Sequence, residues 1–248
     1  MRNGPANTVA SSVCRVSVLL LAAAFASSAL ADTALQPHSA EYKVKISVLG
    51  GRLNTELKTT ANGYVATHEV KATGMSRILA GSGVIRDTSE FSTTTDGVRP
   101  TRFMSEDSLS RDKENAAIDF DWQTGEARGT VNGENVVSTL QDLAHDRISI
   151  QYELMLDLIN GSPSAEYILY DIDELKTLII RNIGTRQVKV PAGTFTAVGI
   201  QHQRANSKRV TTLWCVEELD YLPVIIEQHR DGKLRLRATL RKYEPIQS

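Results

Sequence analysis

The sequence predicts a mainly β protein, a large curved antiparallel sheet or incomplete β-barrel with one amphipathic helix. Three observations carry this. Apolar and polar residues alternate with period two over many strand-length stretches, so that one face of each is apolar. Glycine-containing turn dipeptides separate these stretches at short intervals. A single mid-chain stretch has the three-and-four spacing of a helix face instead.

The first 31 residues read as a targeting segment. Arg2 and Arg15 supply positive charge, residues 16–26 form a short apolar run, and Ala29-Leu30-Ala31 has the form of a cleavage site. Together these are the parts of a secretory signal peptide, cleaved near Ala31. The run falls short of the roughly 20 residues a spanning helix needs, and no later stretch reaches that length. The expected product is a single domain of residues 32–248, exported to the periplasm, with no transmembrane segment. Cys14 precedes the apolar run, which is the wrong order for lipidation.

The strands follow in order. In residues 41–48, Tyr42, Val44, Ile46 and Val48 alternate with Glu41, Lys43, Lys45 and Ser47, and Gly50-Gly51 reads as the turn. Residues 53–60 return, Asn62-Gly63 turns, and 64–72 continue the meander. Residues 78–89 read as a strand containing Gly81-Ser82-Gly83. Asp96-Gly97 turns into 100–106, and the charged stretch 105–115 reads as a loop. Residues 117–122 and 127–131 flank the Gln123-Thr124-Gly125 turn, with Asn132-Gly133 as a further turn. Later strands are expected at 166–171, 175–182, 186–190, 194–204, 209–216, 222–229 and 233–243, with turns at Pro191-Ala192-Gly193 and Asp231-Gly232. The helix is expected over 139–160, with Leu140, Leu143, Ala144, Ile148, Tyr152, Met155 and Ile159 on one face. Thr139 would cap it, Asp142 would suit its first turn, and Asn160-Gly161 would end it.

Composition narrows the chemistry. Arg2 and Arg15 are the charged residues of the leader, so the remaining chain has 26 basic and 29 acidic side chains, a net −3. That balance gives no reason to expect nucleic acid as a partner. After cleavage Cys215 stands alone in Leu213-Trp214-Cys215-Val216, where a buried apolar role outweighs a reactive one. The nucleophile elbow, phosphate loop, dinucleotide-binding glycine pattern and H-E-x-x-H are missing from the sequence. His38, His68, His145, His202 and His229 are scattered without ligand spacing, so no metal or cofactor is expected. Asp119 and Asp121 share a strand face opposite Phe120 and Trp122, the pattern of an ordinary solvated face.

The segment Val190-Pro191-Ala192-Gly193-Thr194-Phe195 resembles the V-P-A-G-T-F motif of exported bacterial proteins of the DUF3108 family. Thr212-Leu213-Trp214, Tyr221-Leu222-Pro223-Val224, the Asp231-Gly232 hairpin, the Tyr42-x-Val44 strand and the Gln141-Asp142 start of the mid-chain helix fit the same family. The resemblance covers nearly all of the chain after residue 31. It implies a curved antiparallel sheet in the periplasm or outer-membrane region, and it brings no catalytic residues. The motif itself reads as turn chemistry, with Pro191 presetting a turn and Phe195 restarting a strand.

Two features of the later strands bear on function. Phe195, Leu213, Trp214, Leu234 and Leu236, with Val224 and Ile225, would line a concavity for a lipid-like ligand. Arg235, Arg237 and Arg241 would share the opposite face of the last strand with Lys233 and meet headgroups or an acidic partner. The leading expectation is a non-enzymatic envelope protein that binds a hydrophobic ligand, in outline like the periplasmic lipoprotein carriers. An assembly or structural factor acting through contacts with an envelope protein is the alternative, and a cryptic hydrolase the third reading.

Overall fold

The structure, a computed structural model, describes residues 35–247 apart from 111, 141 and 162. The targeting segment, including Cys14, lies outside the described residues. Among those described, fifteen strands form one sheet. In chain order these are β1 (His38–Ile46), β2 (Leu49–Thr60), β3 (Gly63–Ala72), β4 (Val84–Thr94), β5 (Gly97–Asp107), β6 (Ala116–Asp121), β7 (Glu126–Val131), β8 (Glu134–Thr139), β9 (Ala144–His145), β10 (Glu166–Asp171), β11 (Glu174–Val190), β12 (Gly193–Arg204), β13 (Arg209–Val216), β14 (Leu222–Arg230) and β15 (Lys233–Pro245). Helix α1 (Met75–Ala80) follows β3, and α2 (Ser149–Ile159) follows β9.

The sheet is a meander closed in the middle of its order, not at its edges. β1 to β8 pair successively, as do β10 to β15, and β15 returns to pair with β1. All pairs are antiparallel except the short β9–β10 pair. The outermost strands share no ladder, so the sheet is open. The Ser138 hydroxyl of β8 nevertheless donates to the Asp173 carbonyl and accepts from the Tyr170 hydroxyl, both at 3.3 Å. One end of the sheet is thus brought round to the β10–β11 corner.

The mid-chain segment departs most from the sequence reading. The helix begins at Ser149, not at Thr139, which ends β8. Asp146 is the cap. Its Oδ1 accepts from the Ile148 and Ser149 amides at 2.7 and 2.9 Å, and Ser149 Oγ accepts from the Asp146 amide at 2.9 Å. This reciprocal pair is a capping box. Nor does α2 have an exposed stripe. Ile148, Tyr152, Met155 and Leu156 enter the larger core with Tyr42, Leu57, Phe91 and Ile118. Leu154 and Leu158 pack with Tyr167, Ile200, Leu213 and Cys215. A helix buried on both sides is an internal plug, not a surface cover.

Other boundaries also move. Gly50-Gly51 lies within β2, and the turn is Ser47-Val48, with Ser47 at φ 55°. Gly51 serves a close approach, since a Cβ there would sit 3.1 Å from the Lys71 carbonyl, and the Gly50 amide donates to Ser76 Oγ at 2.6 Å. Residues 75–80 are helical, so the strand predicted from 78 starts at Val84. β5 extends to Asp107, into the predicted loop. The strands expected at 175–182 and 186–190 are one, β11, interrupted by a bulge between Asn182 and Thr185. Gly184 takes φ 91° there, and its amide donates to Asn182 Oδ1 at 2.8 Å. The Asn132-Gly133 and Asp231-Gly232 turns are as expected, with φ positive at both residues.

Candidate ligand cavity

A cavity of about 300 Å³ lies between α2 and the inner face of the sheet. Its floor is apolar: Ile150 and Leu154 of α2, Tyr167 and Leu169 of β10, Leu178 and Ile180 of β11, Leu213 of β13, Ile226 of β14 and Leu53 of β2. The register explains the convergence. Antiparallel partners point to one side of a sheet. Ile180 faces His202, His202 faces Thr211, Thr211 faces Gln228, and Leu213 faces Ile226. On the other flank Leu53 faces Tyr42, and Thr55 faces His68.

A polar band interrupts this apolar wall. Thr55, His68, His202, Thr211, Gln228 and Gln151 all line the cavity. Thr55 Oγ1 and His68 Nε2 are buried without a hydrogen-bond partner. Burial pushes His202 down to about 4, and burial together with nearby His38 does the same to His68. Both rings are therefore neutral at neutral pH and can each donate one hydrogen bond and accept another. At the rim, Arg147 donates to Asp171 and Glu114, each at 2.5 Å. Burial opposes the charge on Asp171, but Lys176 and Arg147 together hold its carboxyl below the ordinary range.

Next to the polar band lies a second, half-open space of about 570 Å³, here called the mouth. The two spaces share Leu169, Leu178, His202, Thr211 and Gln228 as walls. Lys176, Arg204, Lys208, Arg209 and Arg230 line the mouth, against Asp171 and Asp231. Among the described residues no group of three or more His, Cys, Asp or Glu side chains is placed to hold a metal ion. No helix among them is long and apolar enough to cross a membrane.

Of the residues singled out in the sequence, Leu213 lines the cavity. Trp214 is buried on the opposite side of β13, its ring beneath the Arg186 guanidinium at 3.7 Å. Phe195 and Leu236 are half-buried against the larger core, and Leu234 is exposed. Val224 and Ile225 are core residues. Arg237 pairs with Glu227 at 3.4 Å and Arg241 with Glu41 at 3.3 Å. Arg235 is the extra residue of a β15 bulge, its carbonyl accepting from the Ser47 amide. The cavity residues that sequence reasoning missed had a signal. Thr55 sits between Leu53 and Leu57, and His68 between Ala66 and Val70, each a polar residue inside an inward apolar row.

Comparison with known proteins gives a family and a fold. No curated protein matches the sequence. Among solved structures, the chain is similar to a β-barrel-like protein of the domain of unknown function DUF1849 from Brucella abortus. The TM-score is 0.55 at 12% identity, over 87% of this chain and 100% of that one. A remoter likeness is to a protein of YmcC-like fold from Bacteroides fragilis, with TM-score 0.32 and 9% identity over 85% of this chain and 97% of that one. The profile of the family "Protein of unknown function (DUF3108)" matches residues 39–239, and the chain belongs to that family.

Proposed function

We propose that this chain is a non-enzymatic periplasmic protein, exported by the segment ending near Ala31, that holds a hydrophobic ligand between α2 and the inner face of its sheet. The observation that carries this is the cavity itself. It is walled by aliphatic side chains on β2, β10, β11, β13 and β14 and bordered by the unpartnered polar atoms of Thr55 and His68. A buried polar atom without a partner costs about 1–3 kcal/mol, and a ligand group or a water reached through the mouth would relieve it. The volume is at the lower end of the roughly 300–1,000 Å³ of small-molecule sites. Native mass spectrometry of protein purified from an envelope fraction tests the reading. A co-purifying hydrophobic adduct, lost on substitution of Leu213→Trp, is the expected result. Wild-type protein that carries no adduct, and takes up none when offered dodecanol, would overturn it.

A further inference from the structure

Arg209 and Arg230 have no work inside the fold. They are direct cross-strand partners on β13 and β14, both side chains are exposed, and both line the mouth of the cavity. Like charges in this position destabilise a strand pair. Their surroundings do not cancel them. The two mouth carboxylates are engaged elsewhere, Asp171 by Arg147 and Lys176 and Asp231 by Lys208 at 3.4 Å. Neither arginine has an ion-pair partner among the described residues.

Their place in the strands adds direction. On β13, residues 209, 211 and 213 share one face, as do 230, 228 and 226 on β14. Their registered pairs are Arg209 with Arg230, Thr211 with Gln228 and Leu213 with Ile226. Going inward, the wall changes from cationic to neutral polar to aliphatic in three successive rows. Such a gradient matches a molecule with a charged end and a hydrocarbon end.

We propose that the ligand is an anionic amphiphile, a single acyl chain with a carboxylate or phosphate head, whose head is held by Arg209 and Arg230 while the chain enters the cavity. Guanidinium groups suit this role because their planar donors match carboxylate and phosphate oxygens. The assignment rests on the cavity being a ligand site, and the test separates the two.

Isothermal titration of the purified protein with dodecanoate and with dodecanol compares an anionic and a neutral head on one chain length. Dodecanoate is expected to bind about tenfold more tightly at low salt, the order expected for charge-assisted contacts at an exposed site. Added sodium chloride is expected to erode the difference. Arg209→Gln/Arg230→Gln is expected to abolish the preference and leave dodecanol binding unchanged, whereas Arg209→Lys/Arg230→Lys retains part of it. A urea midpoint equal to or above wild type shows that the Gln variant is folded. Equal wild-type affinity for the two probes, or a preference that survives the Gln variant, overturns the head-group assignment and leaves the cavity reading standing. Binding of neither probe by wild-type protein overturns both. Dodecyl phosphate in place of dodecanoate distinguishes the head chemistries, the tighter binder identifying the preferred one.

Discussion

Acidification is expected to loosen this fold through its buried histidines, and the size of the effect follows from their environment. Burial holds His145, His202 and His68 at about 4, against 6.5 when free, with His38 contributing at His68. Because the unfolded chain binds these protons more readily, the stability they contribute is complete above pH 6.5 and is lost as the pH falls through 6.5 towards 4. Each ring is worth about 2 kcal/mol by about pH 5, so the three together lose about 6 kcal/mol. Glu153 works in the other direction. Burial raises its carboxyl to about 7 from 4.5, although it accepts from the Val98 amide at 2.5 Å. It returns about 2 kcal/mol between about pH 7.5 and 5. These four groups together lose about 4 kcal/mol over that interval, a large part of the 5–15 kcal/mol typical of a domain. Urea unfolding at the two pH values measures it. His145→Gln should lower stability near pH 7.5 and reduce the acid-dependent loss by about 2 kcal/mol. A wild-type midpoint that stays level or rises on acidification, or a His145→Gln variant with an unchanged acid slope, refutes the reasoning.

Three other outcomes are expected. Asp146→Ala should cost about 2–3 kcal/mol in urea unfolding, since it removes the α2 cap and leaves the Ser89 hydroxyl, which donates to Asp146 Oδ2 at 2.6 Å, without its acceptor. Gly129→Ala should open the β6–β7 ladder, because its Cβ would fall 1.9 Å from the Ala117 carbonyl; hydrogen exchange at the β6 and β7 amides would show the loss. Cys215 is buried and its thiol is pushed well up by desolvation. It should react with a thiol reagent only as fast as the protein unfolds, and rapid modification of native protein would refute its placement.

Much of the architecture was legible because a half-buried strand writes its two faces into alternate residues. Asp119 and Asp121 against Phe120 and Trp122 are read directly, as are the Asn132-Gly133 and Asp231-Gly232 turns. Errors arose where one residue type serves two purposes. Gly50 and Gly51 have the composition of a turn but lie within β2, where Gly51 passes close to the Lys71 carbonyl. Gly184 lies within β11, where the chain bends without ending. The helix start failed because Leu140 and Leu143 continue the three-and-four spacing by coincidence, while the true cap is a buried aspartate whose reach to Ser149 only coordinates reveal. At the cavity, Leu213 was legible as an inward apolar residue. Trp214, the next residue on the same strand, falls on the opposite face by alternation itself. Leu234 and Leu236 were not separable from Leu213, since alternation says which residues of one strand share a face and not what that face meets. Arg209 and Arg230 could not be paired without the register of β13 and β14.

The return of β15 to β1 has a consequence for how the chain acquires its shape. The strands of each run, β1 to β8 and β10 to β15, pair with neighbours a few residues away, so both runs can form early from local contacts. The seam between them joins residues as far apart in sequence as Val44 and Ala238, from opposite ends of the sheet-forming segment. Loop closure on that scale is slow, and folding rates fall as the sequence separation of contacts grows. The expected last event is therefore the zipping of the two ribbons along β1 and β15, a seam at whose end the amide of Ile246 donates to the carbonyl of Pro37 at 2.9 Å. Until it closes, two long edges stand open, and association with another chain competes with completion of the monomer.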